Sequence, residues 1–218
     1  MSCHFEGKDG RVLFLHIPRT GGTFVEHVLA KLGLRDPNSY ATASMTSRHG
    51  LRHDYADNDY SFSFTFVRFP LTWYESCFRY WSAQRWREFD PEFNWHPWRP
   101  LHTCRADSFP EFMENVLREE PGYVTRMYEW YIGPPGRSHV DFVGRTETLC
   151  EDLTTVLAKC GHQVDQTWIE SLPRVNEAAG IPTEWPAELI AETLYVEGPT
   201  IRRFYSDGKI GDFTINER

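Results

Sequence analysis

Three short apolar runs, RVLFLH (11–16), SFSFTFV (61–67) and HVDFVG (139–144), are each followed by a stretch with apolar residues at helical spacing. After the first run, Phe24, Val25, Val28, Leu29 and Leu32 mark one helical face, with Gly33 as a stop. After the second, Pro70 suits a first helical turn, and Tyr74, Cys77, Phe78 and Trp81 share a face. After the third, Leu149, Leu153, Val156, Leu157 and Cys160 predict a helix that stops at Gly161. Alternation of this kind builds a parallel sheet with helices on both faces. The expected fold class is α/β: a single domain over residues 1–218, a parallel β-sheet flanked by helices.

The rest of the chain fits around that frame. Residues 35–60 are polar and read as loop with room for one short helix. An irregular Trp/Pro-rich insertion occupies about residues 86–107. In it Trp86, Trp95 and Trp98 interleave with Arg85, Arg87, Arg99 and Arg105, which suits either a platform for a sugar-like acceptor or an aromatic satellite core. Ser108 and Glu111 form a capping-box signal for a helix to about Arg118. A last helical region runs from Trp185 to Tyr205, broken at Gly198-Pro199.

Composition narrows the function classes. A net charge of −8 argues against nonspecific binding to nucleic acid or an anionic membrane. Five cysteines without CxxC spacing do not form a disulfide framework, and a reduced, cytoplasmic location is expected. The first residues lack an apolar signal core, and no window is long and apolar enough to span a membrane.

The stretch LHIPRTGGTF (15–24) falls where a strand passes into a helix, the place where such sheets bind ligands. Gly21 and Gly22 permit close backbone approach, the helix start offers N–H groups, and Thr20 and Thr23 add hydroxyls. Arg19 supplies a cation. An anion site is one reading and a plain strand–helix turn the other. The spacing is not that of a Walker A loop. Further on, Arg68 ends the second strand and Ser76 lies two turns into the next helix.

Together these segments resemble the sulfotransferases that use 3′-phosphoadenosine 5′-phosphosulfate (PAPS). IPRTGGT is similar to the family's 5′-phosphosulfate loop, which usually carries lysine where this chain has Arg19. Arg68, Pro70 and Ser76 match its 3′-phosphate motif, an Arg-x-Pro with serine eight residues after the arginine. DFVGRTETLCEDL (141–153) and LPRVNEA (172–178) resemble later family segments.

The resemblance implies a P-loop-NTPase-like sulfotransferase fold and an enzyme that moves a sulfuryl group from PAPS to a carbohydrate or other small acceptor, leaving PAP, without a metal. It implies cofactor contacts from Arg19, Thr20, Gly21, Gly22, Thr23, Arg68, Ser76, Arg145 and Arg174, with Asn176 as a further contact. Charge developing on the bridging oxygen calls for a fixed cation, and Arg19 fills that role, although arginine does not release a proton as lysine can. The acceptor hydroxyl needs a base. In SRHGLRHDY (47–55), His49 and His53 are the candidates, with Asp54 behind them; His16 reads as structural. The competing readings are a non-catalytic PAP- or glycan-binding module on the same fold and a P-loop nucleotide kinase.

Overall fold

The computed structural model describes residues 2–35, 59–86, 99–173, 181–208 and 210. Its strands are β1 (Cys3–Gly7), β2 (Gly10–Leu15), β3 (Tyr60–Val67) and β4 (Phe142–Arg145). Its helices are α1 (Gly22–Lys31), α2 (Pro70–Ala83), α3 (Phe109–Glu119), α4 (Tyr123–Ile132), α5 (Leu149–Lys159), α6 (Gln166–Ser171), α7 (Ala187–Val196) and α8 (Gly198–Phe204). They gather into two compact units. The first comprises Met1–Arg68, Trp130–Asn176 and Lys209–Arg218; the second comprises Phe69–Glu129 and Glu177–Gly208.

The first unit holds the sheet, in the order β1-β2-β3-β4. β2, β3 and β4 run parallel, as the alternation requires, but β1 pairs antiparallel with β2 and was not expected. The sheet is therefore mostly parallel, with one antiparallel edge, and helices flank it. β3 alternates apolar and polar side chains, and Ser63 and Thr65 are as buried as Phe64 and Phe66. Their hydroxyls are satisfied locally: Ser63 donates to Asp141 Oδ2 at 2.8 Å and Thr65 to the Leu15 carbonyl at 2.7 Å. Phe14 stacks on Phe64 at 5.1 Å, and Val25, Val28 and Leu29 of α1 join Leu153, Val156 and Leu157 of α5 in the same apolar cluster. A Cβ on Gly144 would come within 2.6 Å of the Phe66 ring, so only glycine lets β4 sit this close to its neighbour. None of the five cysteines is in a disulfide. Burial pushes the Cys3 and Cys160 thiols up to about 11, so both behave as small apolar side chains.

Aromatic packing organises the second unit. Pro70 begins α2, and Ser108 caps α3 by accepting from the Glu111 N–H at 3.4 Å. Trp73, Tyr74, Phe78 and Trp81 of α2 are fully buried. Trp86 lies 5.6 Å from Trp81 and 5.9 Å from Phe112, so it takes the satellite-core role rather than the platform role. Trp95, Trp98 and Arg87 lie outside the described residues. The predicted terminal helix divides at Gly198-Pro199 into α7 and α8. At that break Glu197 is fully buried. Its Oε1 accepts from the Tyr74 hydroxyl at 2.6 Å and the Val124 N–H at 3.0 Å. Its Oε2 accepts from the Thr125 N–H at 2.8 Å and the Thr125 hydroxyl at 2.7 Å. The carboxylate thus caps the first turn of α4 from a distant part of the chain. Burial raises its pKa above the usual carboxylate value, outweighing the hydrogen bonds that pull it down.

Candidate functional site

Parallel strands end on one side of a sheet, and here each ends in an arginine-bearing turn. β2 leads into His16–Gly21, β3 into Arg68, and β4 closes on Arg145. The register pairs Leu15 with Thr65 and Val67 with Arg145, so these exits are neighbours. The arrangement sets three guanidinium-bearing residues along the carboxyl edge of the parallel strands, where open α/β sheets take their ligands.

The turn after β2 is held from several directions. Arg19 has a φ of 65°, a left-handed conformation that costs a non-glycine residue roughly 1–2 kcal/mol. Strain of this kind persists only where the surroundings over-determine it, and it concentrates at functional loops. Thr20, 1% exposed, donates its hydroxyl to the Ile17 carbonyl at 2.8 Å. The hydroxyl expected at the anion is therefore engaged within the turn and serves to hold it. Gly21, with φ 82°, sits at the cap position of α1, and its carbonyl accepts from the N–H of Phe24 at 2.9 Å and of Val25 at 3.2 Å. Gly22 and Thr23 then form the opening of α1, whose end amides and dipole favour an anion. Glycine suits both positions for different reasons: Gly21 adopts a left-handed φ of 82°, and a Cβ on Gly22 would lie 2.1 Å from the His16 ring.

Arg68 reaches back to this turn, its Nη1 donating to the Arg19 carbonyl at 3.5 Å. The β4 exit is tied down in turn. Thr146 donates to the Val67 carbonyl at 3.0 Å, while Asp152 Oδ2 accepts from the Arg145 N–H at 2.8 Å and the Thr148 hydroxyl at 2.7 Å. These supports fix the Arg145 backbone at the edge of the sheet. Thus Arg19, Thr20, Gly21, Gly22, Thr23, Arg68 and Arg145 all lie at the strand exits of the first unit. Ser76 belongs to the second unit, where it is buried on α2. His49, His53 and Arg174, like Asp54 and Asn176, lie outside the described residues.

His16 is buried, with Nδ1 2.9 Å from Glu26 Oε1, in keeping with a structural placement. Sequence reading did not single out Glu26 or Asp152, because each acts on a turn that only the fold brings to it. Among the described residues, no group of three or more His, Cys, Asp or Glu side chains could hold a metal ion. Among the same residues, no helix is long and apolar enough to cross a membrane.

A sequence profile described as Sulfotransferase family matches residues 5–184. No curated protein and no solved structure matches the chain. The match takes in the strand exits and the turns that follow them, and its domain supports sulfuryl transfer in general. The chain belongs to the sulfotransferase family.

Proposed function

We propose that this protein is a PAPS-dependent sulfotransferase acting on a hydroxyl or amine of a carbohydrate or other small acceptor. The observation that carries the reading is the row of Arg19, Arg68 and Arg145 at adjacent parallel strand exits beside the start of α1. That donor set is cationic and rich in N–H groups, which suits a nucleotide with phosphate at two positions.

When bound, PAPS supplies an activated sulfuryl group whose departure leaves charge on a phosphate oxygen. Arg19 answers that charge with a guanidinium, and the amides of Gly22 and Thr23 act as pre-aimed donors beside it. Thr20 holds the turn through Ile17, and Thr20 and Thr23 flank the anion as the family motif implies. Arg68 takes the 3′-phosphate; for Ser76 as its companion, and for Arg174, the support is the family motif alone. Arg145 supports the cofactor from the β4 exit. His49 removes the acceptor proton, with His53 as the next choice. The reading extends to a reduced, cytoplasmic setting, on the ground of five cysteines none of which is in a disulfide.

The test is transfer of radiolabelled sulfate from PAPS across a panel of saccharides and small alcohols and amines. Label moving to at least one acceptor supports the proposal. Tight PAP binding with no transfer to any acceptor would favour the non-catalytic module, to which an arginine in place of the family's lysine lends weight.

A further inference from the structure

The imidazole of His16 is gripped on one side and used on the other. Nδ1 lies 2.9 Å from Glu26 Oε1, with the two side chains 10% and 9% exposed. Phe14 stacks on the ring at 6.0 Å and 19°. The second carboxylate oxygen of Glu26 is 4.0 Å from Arg35 Nη1, and the main-chain N–H of His16 donates to Ser2 Oγ at 3.1 Å. The opposite edge of the ring faces the turn. A Cβ on Gly22 would fall 2.1 Å from Cδ2 and 2.3 Å from Nε2, so this edge lies directly against the Gly22 Cα.

A buried imidazole–carboxylate pair is a costly way to fill a strand exit, because both groups are stripped of water; an apolar residue of similar volume would fill it at less cost. What packing alone would not provide is a fixed ring orientation. Glu26 sets that orientation through Nδ1, and the flat edge of the ring then sets how closely the first residue of α1 approaches the end of β2. Between these pins lie the two left-handed residues of the turn, Arg19 and Gly21. We propose that His16, oriented by Glu26, is a positioning residue that places the Gly21–Thr23 backbone so that the opening amides of α1 meet the 5′ end of the cofactor. The inference depends on the PAPS reading for its ligand, but the placement itself belongs to the free protein. Oriented donors tolerate errors of only about 0.5 Å, so a small shift is costly.

The experiment compares wild type with Glu26→Gln and Glu26→Leu in the full chain. It follows PAP affinity by calorimetry, thermal unfolding, and the amide NMR signals of Gly21, Gly22 and Thr23. Glutamine still accepts from Nδ1–H and should keep PAP affinity within about threefold. Leucine leaves the buried His16 Nδ1–H without its acceptor, so it should lower the unfolding temperature, shift the three amide signals, and weaken PAP about tenfold or more. If the leucine variant does not fold, His16→Gln is read in its place with the same expectation. Unshifted amides together with unchanged PAP affinity would make His16 a filler and overturn the proposal. Should wild type bind no PAP, the PAPS reading fails separately, and the amide signals alone decide the positioning claim: shifted they uphold it, unshifted they overturn it.

Discussion

Arg68 donates from Nη1 to the main-chain carbonyl of Arg19 at 3.5 Å. The side chain at the β3 exit therefore rests against the backbone of the strained residue at the β2 exit, and the two arginines are parts of one edge.

The geometry lets the Arg19 side chain be separated from its backbone. Arg19→Gly should stay within about 1 kcal/mol of wild-type stability, because relief of the left-handed conformation offsets the added chain entropy. Its turnover should nonetheless fall about 10²- to 10³-fold, the scale for losing one preorganised charge-stabilising donor. Arg19→Lys should retain activity. Thermal unfolding and single-turnover kinetics check all three outcomes.

Arg68 is expected to confer selectivity. Arg68→Gln should cost about 1.5–3 kcal/mol in PAP binding, the usual worth of a hydrogen bond to a charged group, and leave ADP binding nearly unchanged. Calorimetry with both nucleotides reads the difference. A loss shared equally by PAP and ADP would place Arg68 at the 5′ end instead.

The base is tested by His49→Ala with His53→Ala as the comparison. Loss of a general base costs on the order of 10²- to 10⁴-fold in turnover. That loss should fall on His49→Ala with PAP affinity intact, while His53→Ala stays near wild type. The reverse result moves the role to His53.

Glu197 controls stability in the second unit. Glu197→Ala strands the Tyr74 and Thr125 hydroxyls and the Val124 and Thr125 N–H groups. At about 1–3 kcal/mol for each unsatisfied buried group, a loss of several kcal/mol is expected, less whatever water enters to recover. The pH dependence has a definite sign. Because the folded pKa is raised, the Glu197 contribution is complete below the unfolded carboxyl pKa and is lost as pH rises through the folded one. Glu197→Gln does not titrate, so denaturant melts should show the wild-type advantage over it shrinking as pH increases through that window.

Much of the frame was legible because periodicity reports local burial. β2, β3, α1, α2, α5 and the α7–α8 break all follow from spacing, capping and glycine stops. β1 escaped notice because Cys3–Gly7 is short and mixed; the Gly7–Gly10 turn after it was the available hairpin signal. α4 was missed for two reasons. Its sequence, YVTRMYEWYI, is rich in aromatic and β-branched residues that favour strands, and the Glu197 cap comes from more than seventy residues away in sequence. The strand-exit residues of the site could be read, since a glycine-rich turn and an arginine after a strand are local patterns. The Glu26 grip on His16 and the Asp152 support of the β4 exit are tertiary contacts with no local signature.

The central claim is that these exits read a nucleotide carrying phosphate at both the 3′ and 5′ positions. Equilibrium binding of PAP and of ADP to the wild-type chain, measured by calorimetry at one salt concentration, tests it most directly. One charge-assisted contact to the 3′-phosphate predicts that PAP binds at least about tenfold more tightly than ADP. Equal affinities, or no detectable binding of PAP, would contradict the account.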